Sequence, residues 1–232
     1  MRAKSLVESS YNRLRSDIIA GKLAPGAKLR IEELRDDYRT GASPLREALN
    51  RLAGEGFVTV EEQRGFKVAP ISSGDLKDLS RMRIMLECEA LRESIRNGGD
   101  EWEANLVAAY HRLQKAEDSY GNNPIEWEQR NEEFHEALVA ACSSSWLLRL
   151  RHLLYEQHKR YRFIAILAYQ EDRDVHREHL DIMEATLARN VKAACKATEY
   201  HIKYTMQTSM QVFAELEENS PLALPGSDPV AP

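Results

Sequence analysis

No run of about 18 consecutive apolar residues occurs in the 232-residue chain, so the sequence offers no membrane-spanning helix. The opening MRAKSLVESSYNRLR also lacks the apolar stretch of a secretory signal. Cysteine is sparse. Cys88, Cys142 and Cys195 lie far apart and form no CxxC pair, which points to three free, mostly buried thiols in a reducing cytoplasm. There is no internal repeat and no strong excess of one charge. The net charge of -5 argues weakly against a nucleic-acid partner until it is divided along the chain. Residues 1–70 carry 13 Lys+Arg against 10 Asp+Glu, and the remainder carries 19 against 27. A basic head on an acidic body suggests two tasks, although so mild a basic excess identifies no DNA binder without a motif.

What is present is helical periodicity and a few sharp breaks. With 43% hydrophobic and 30% charged residues the chain can bury the core of one large or two modest domains. Val7, Tyr11, Leu14 and Ile18 predict a helix over Leu6–Ile19, followed by a turn at Leu23–Gly26. A short helix over Ile31–Tyr38 and a tight turn at Thr40–Ala42 follow. Ser43 is then the expected cap of a third helix, with Pro44 at its first position. Two β-rich runs, Phe57–Val60 and Gly65–Val68, flank Glu61–Arg64 and predict a hairpin. Three helices and a hairpin are the order of a winged helix-turn-helix.

Beyond the linker Pro70–Ser73 the pattern is helical throughout. Six helices are expected: Gly74–Arg96 capped by Ser73, one from Asp100 to the Gly121–Pro124 turn, and one from Pro124 to near Cys142. The others run from the Ser143–Ser145 cap to Tyr169, over Asp172–Ala188, and from the Arg189–Asn190 break to Glu217. The fold class is therefore mainly α: a winged helix-turn-helix over 1–70, an antiparallel helical bundle over 71–218, and a Pro-rich, disordered tail over 219–232.

In a helix-turn-helix the third helix enters the major groove with its N-terminal residues at the base edges. Here those are Ser43, Pro44 and Arg46, with Asn50 and Arg51 a turn later. Arg46 has the fork for a bidentate guanine contact, and Ser43 can reach a phosphate or a base. Gln63, Arg64 and Gly65 sit at the hairpin tip, where glycine lets the backbone approach DNA. Taken singly, Arg46 and Arg51 read equally well as solvated helix charges.

The whole stretch SDIIAGKLAPGAKLRIEEL…ASPLREALNRLAGEGFVTVEEQRGFKV resembles the head of the GntR family of regulators over nearly all of residues 9–70. The resemblance implies that Arg46 reads bases and that Gly65 lies in a wing at the minor groove. The family often carries Arg just before the position of Ser43 and another in the second helix. Ala42 and Glu32 stand there in this chain, which leaves Arg30 and Arg35 to compensate and an operator of its own to be recognised.

The histidines supply the second constellation. Asn131 and His135 are four apart and share a helix face; His179 and His201 lie on the two last helices. Three imidazoles and an amide oxygen would hold Zn²⁺ or another borderline divalent metal with open positions, although spacing alone does not separate them from ordinary helical histidines. RxxLE (Arg83–Glu87), NEEFHEAL (Asn131–Leu138), REHLDIMEATLARN (Arg177–Asn190) and His201 resemble the FCD ligand-binding domain of the FadR subfamily of GntR regulators, over about residues 74–215. The resemblance implies that Asn131, His135, His179 and His201 bind the metal, zinc foremost with nickel or another ion as alternatives. It leaves out His111, His152, His158 and His176. A neutral Asn131 in place of an Asp leaves the metal its full charge and favours an anionic effector.

Arg83 is the implied clamp on an effector carboxylate, against a plain i,i+4 surface pair with Glu87. Tyr161 and Arg162 are further candidates for the far end of the cavity. The stretches GGDEWEA (Gly98–Ala104), RYRFI (Arg160–Ile164) and PLREAL (Pro44–Leu49) resemble the carbon-starvation-induced regulators of that subfamily, which repress glutarate- and γ-aminobutyrate-linked catabolism. That implies a short dicarboxylate effector such as glutarate or 2-hydroxyglutarate, and a cytoplasmic homodimeric repressor on an inverted-repeat DNA operator. A metalloenzyme and an effector-independent DNA binder are the competing readings. The first lacks an HExxH motif and an evident general base; the second leaves the histidines without a purpose.

Overall fold

The computed structural model describes residues 6–61, 65–118, 123–168 and 173–219. Among the described residues there are nine helices and one three-stranded sheet. The N-terminal module runs α1 (Leu6–Ile19), β1 (Lys28–Leu29), α2 (Ile31–Tyr38), α3 (Ala42–Gly54), β2 (Val58–Glu61) and β3 (Gly65–Val68). Tyr11, Leu14 and Ile18 of α1 meet Leu45, Ala48, Leu49 and Leu52 of α3 in a core closed by Phe57, Val58, Phe66 and Val68. Each fully buried Leu or Phe there contributes about 1.5–3 kcal/mol.

β3 lies between β1 and β2 and is antiparallel to both, with Leu29 opposite Phe66 and Val60 opposite Phe66 across the other ladder. The hairpin stands where the β-rich runs place it, one residue later on its first strand. β1 has no counterpart in the sequence reading. Two residues carry no periodicity, and the strand exists because Val68 N donates to Ala27 O at 2.9 Å and Gly26 N to Val68 O at 3.0 Å.

Helix caps differ from expectation in two places. The N-cap of α3 is Gly41, in an extended conformation, and it makes no side-chain cap bond; Ser43 and Pro44 lie inside the first turn. Pro44 is tolerated there because the first four N–H groups of a helix have no intrahelical acceptor. At the start of the second helical region, Ser72 rather than Ser73 caps, its Oγ accepting from Asp75 N at 3.1 Å. Leu76 N closes the first turn on Ser72 O at 3.0 Å.

That region comprises α4 (Ser73–Asn97), α5 (Asp100–Asp118), α6 (Pro124–Val139), α7 (Ser145–Ala168), α8 (Val175–Leu187) and α9 (Val191–Asn219). Asn123 caps α6 through Glu126 N at 3.2 Å, with Pro124 at the favoured first position. Asp174 caps α8 through Arg177 N at 2.8 Å, so this helix starts at Val175, three residues later than the expected Asp172, which lies outside the described residues. α6 ends at Val139, short of Cys142. The expected disordered tail lies, beyond Asn219, outside the described residues.

The chain divides into two compact units, Met1–Leu79 with Glu156–Tyr169 and Gln207–Pro232, and Ser80–Tyr155 with Gln170–Met206. Within the first, the C-terminal half of α7 is bonded to the N-terminal module. Gln157 Nε2 donates to Glu55 O at 2.7 Å, Arg160 Nη2 donates to Ala69 O at 2.5 Å, and Arg15 pairs with Glu156. Tyr161 adds its hydroxyl, which donates to Asp75 and accepts from Ser72 N at 3.4 Å.

Within the second unit, the turn between α4 and α5 depends on one glycine. The Trp102 indole lies where a Cβ on Gly98 would stand, 2.1 Å from its nearest atom, and its Nε1 donates to Ala137 O at 2.8 Å. Nothing lies within 4 Å of the equivalent position on Gly99. Gly98→Ala is therefore expected to destabilise the fold by about 1–3 kcal/mol through overpacking, and Gly99→Ala to cost clearly less. Urea unfolding of the two variants followed by circular dichroism checks this; equal midpoints would contradict it.

Candidate functional site

On α3, the buried face is Leu45, Ala48, Leu49 and Leu52, and Ser43, Arg46, Glu47 and Asn50 are exposed on the other side. Pro44 is half-buried between the two faces. Ser43, Arg46 and Asn50 thus share one solvent-facing strip, as readers of base edges must. Glu47, expected to complete a capping box with Ser43, is instead an exposed acidic group on that strip, since the N-cap is Gly41 and makes no side-chain cap bond. Arg51 is turned toward α1. Its guanidinium lies 3.7 Å from the Tyr11 ring centroid and pairs with Glu8 at 3.0 Å. Arg30 pairs with Glu33 at 2.9 Å on the surface, and Arg35 is exposed on α2. Gly65 adopts φ 90°, a conformation that favours glycine, with open space around it. Arg64 and Gln63 lie outside the described residues.

The bundle brings Asn131 and His135 of α6 together with His179 of α8 and His201 of α9, none more than 5% exposed. One ring nitrogen from each histidine lies within 4.8 Å of those of the other two. The rings pack on one another, His179 to His201 at 4.8 Å and His135 to His201 at 5.2 Å between centroids, with Phe134 edge-on to His179 at 5.3 Å.

Carboxylates fix two of the rings. Glu117 Oε1 lies 2.7 Å from His179 Nδ1, and Glu178 Oε2 lies 2.7 Å from His201 Nδ1. A carboxylate accepts, so Nδ1 carries the proton and, in a neutral ring, Nε2 keeps its lone pair. His179 Nε2, His135 Nε2 and Asn131 Oδ1 are all buried with no hydrogen-bond partner among the described residues. Each such buried orphan costs about 1–3 kcal/mol. Three such bare acceptors, two in the histidine cluster and the third one helical turn from His135, are a donor set that a borderline divalent cation takes, so the residues fit a metal.

The electrostatics agree. Burial, reinforced by His201, His179 and the charges of Arg83 and Arg151, holds the His135 imidazole well below its usual range. Burial drives His201 down to about 3 against the pull of Glu178. Glu178 stays ionised at about 2 although burial opposes it, because Arg173 and His201 bond to it. His135 and His201 are therefore neutral near pH 7, as ligands must be.

Arg83 is brought to this centre. It is buried, bonds Glu87 Oε1 through Nε at 3.3 Å, and lies over the Tyr155 ring at 4.6 Å. Tyr155 in turn accepts from Asn131 Nδ2 at 3.1 Å and packs 5.8 Å from the His135 ring. The i,i+4 pair with Glu87 exists, but in the interior and not at the surface. Tyr161 and Arg162 fall in the other compact unit, both buried, with Tyr161 committed to Asp75 and packed on Phe213 at 5.7 Å. His176 shares Glu117 with His179, at 2.8 Å from Oε2, and is half-exposed.

Four residues of the centre escaped the sequence reading: Tyr155, Arg151, Glu117 and Glu178. Arg151 is wholly buried and donates to Glu87 at 2.6 Å, Glu136 at 2.7 Å and His135 O at 3.0 Å. A signal for it existed, since Arg151, Tyr155, His158 and Arg162 put polar groups along the buried stripe of α7.

Both parts of the chain match known families. The family profile described as bacterial regulatory proteins, gntR family, matches residues 6–68, and the FCD domain profile matches residues 78–204. BphR of Paraburkholderia xenovorans LB400, described as an uncharacterized HTH-type transcriptional regulator, is 42% identical over 90% of this chain and 86% of its own. The HTH-type transcriptional repressor GlaR of Escherichia coli K12 is 37% identical over 88% of this chain and 96% of its own. The solved structure of E. coli McbR/YncC shares the fold with a TM-score of 0.76, over 90% of this chain and 99% of that one, at 21% identity. Among the described residues no helix is long and apolar enough to cross a membrane. With a DNA-binding head and an effector-type helical module both matched, the chain belongs to the GntR family of bacterial transcriptional regulators, in the FadR subfamily that carries an FCD domain.

Proposed function

We propose that this chain is a cytoplasmic, homodimeric repressor that binds an inverted-repeat operator through residues 1–70 and releases it when a short dicarboxylate binds the helical domain, residues 71–218. The observation that carries the effector half is the set of bare, buried acceptors on Asn131, His135 and His179 beside His201. A divalent ion held by these four, zinc foremost and nickel or another as alternatives, would supply a Lewis-acidic position for one carboxylate. Arg83, stacked on Tyr155, would grip the other, since its planar fork suits a carboxylate better than an ammonium would. The repressor sense is the one in GlaR's name. No catalytic step is assigned, because the relatives BphR and GlaR are described as transcriptional regulators.

On the DNA side, Ser43, Pro44, Arg46 and Asn50 would read or position bases, with Arg30, Arg35, Arg51, Arg64 and Gly65 toward the backbone and the wing. Arg51 would have to give up Glu8 and Tyr11 to reach a phosphate. One such helix reads a few base pairs, so two are needed for useful specificity, and two copies related by a dyad require an inverted repeat.

Three outcomes test this reading. Arg46→Ala should weaken operator binding by about 1–3 kcal/mol and relax the sequence preference at one base pair, read in gel shifts at fixed salt. Unchanged affinity would remove the assignment of α3.

Protein purified without chelator should contain metal by elemental analysis. His135→Ala, His179→Ala and His201→Ala should each lose it, whereas His176→Ala should retain it. Glu117→Gln and Glu178→Gln should bind about 10–100-fold more weakly, because these carboxylates orient the ligand rings. Full metal content in the His135 variant would overturn the site.

Glutarate or 2-hydroxyglutarate should release the operator in fluorescence anisotropy, with a coupling of about 1–3 kcal/mol, and valerate should act far more weakly. Arg83→Ala should keep metal and operator and lose the response. Equal release by all three acids, or none by either diacid, would refute the effector class and leave the DNA-binding assignment intact.

A further inference from the structure

The metal and DNA roles leave the thiols unused. Cys142 is buried and donates to Glu93 Oε2 at 3.0 Å, a bond that ties the end of α6 to α4. Cys88 and Cys195 are different. They face each other across α4 and α9, 107 residues apart in sequence, and their contact is reciprocal. Cys88 Sγ lies 3.6 Å from Cys195 O, and Cys195 Sγ lies 3.6 Å from Cys88 O. Each side chain therefore lies against the other's backbone, which puts the two cysteines in direct contact across the helix pair. Cys88 is buried and Cys195 is half-buried, so Cys195 is the more accessible of the two. Arg92, one turn along α4 from Cys88, pairs with Glu89 and acts on both thiols.

We propose that Cys195 and Cys88 form a peroxide-reactive thiol pair, with Cys195 the attacked sulfur and Cys88 the resolving one, that closes to an intramolecular disulfide between α4 and α9. The Cys195 thiolate attacks one oxygen of a hydroperoxide. An S–O bond forms and the O–O bond breaks. The sulfur is oxidised to a sulfenic acid, and the released alkoxide or hydroxide takes up a proton. The Cys88 sulfur then attacks the sulfenic sulfur; the S–S bond forms, the S–O bond breaks, and hydroxide leaves with the Cys88 proton as water. Two thiols and one hydroperoxide thus give one disulfide, one alcohol or water from the peroxide, and one further water.

The environment divides the two roles in the same direction. The Cys88 hydrogen bond, with help from Arg92, holds the Cys195 thiol below its ordinary range against the cost of burial, whereas the partner bond and burial push Cys88 up. A partly exposed thiolate backed by a resolving cysteine is the arrangement that reversible thiol oxidation requires. Cys142, whose thiol is raised by burial and by Glu93, should be passed over. In a reducing compartment such a disulfide would be transient, a response to oxidant and not a structural staple.

The test uses the full chain, reduced, desalted and exposed to hydrogen peroxide, with non-reducing digestion and mass spectrometry. The expected result is a linked Cys88–Cys195 peptide, removed by dithiothreitol, with Cys142 recovered as a thiol. Dimedone should trap a sulfenic acid on Cys195 in Cys88→Ser, and Cys195→Ser should yield no disulfide. The proposal is overturned if Cys142 is oxidised first, if both thiols of the pair survive, or if only cross-links between chains appear. Wild-type mapping decides these points whether or not the variants fold, and it is read without operator or metal.

Discussion

The histidine cluster is built around buried acceptors that, among the described residues, have nothing to accept. Asn131 Oδ1 and the Nε2 atoms of His135 and His179 are buried where no protein donor meets them. A core does not keep several such groups by accident, because each subtracts roughly what a good hydrophobic contact adds. The surroundings hold these atoms in place. Glu117 and Glu178 lock two rings from behind, and Tyr155, packed against the His135 ring, accepts from the Asn131 amide nitrogen. Phe134 packs edge-on to two of the rings. The centre is preorganised before any ligand arrives, with part of the fold's stability held in reserve.

Charge is balanced around that centre with the same economy. Glu87 is shared by two guanidinium groups, Oε1 to Arg83 and Oε2 to Arg151, and Glu136 takes the other end of Arg151. Arg151 also reaches the His135 carbonyl, which links the ligand helix α6 directly to α7. A buried Arg–Glu–Arg cluster is weak support for stability in itself. Here its value lies in holding Arg83 rigid on Tyr155, beside the ligands.

Much of this was legible in the sequence, for reasons that can be named. The helix breaks at Gly21, Gly98–Gly99, Asn123–Pro124 and Asn190 coincide with real ends because local chemistry dictates them. The Asn131–His135 spacing put two residues of the cluster on one face because helical geometry alone does so. What escaped was set by distant contacts. β1 exists only through β3. Glu117 lies 62 residues from His179, and no window along the chain joins them. The α3 cap is Gly41 and not Ser43, because the helical conformation already begins at Ala42 and takes Ser43 into the first turn. Tyr161 looked like a ligand-pocket residue from its neighbours RYRF, yet its hydroxyl belongs to Asp75 at the head of α4.

Glu117 has one more consequence. Its two oxygens serve two different imidazoles, Oε1 the fully enclosed His179 and Oε2 the half-exposed His176. A continuous hydrogen-bonded path therefore runs from bulk water to a nitrogen at the heart of the bundle, three groups long. Protons on the enclosed ring can exchange along this path without the helices parting. The enclosed histidine cluster thus keeps protonic contact with the medium through side chains alone.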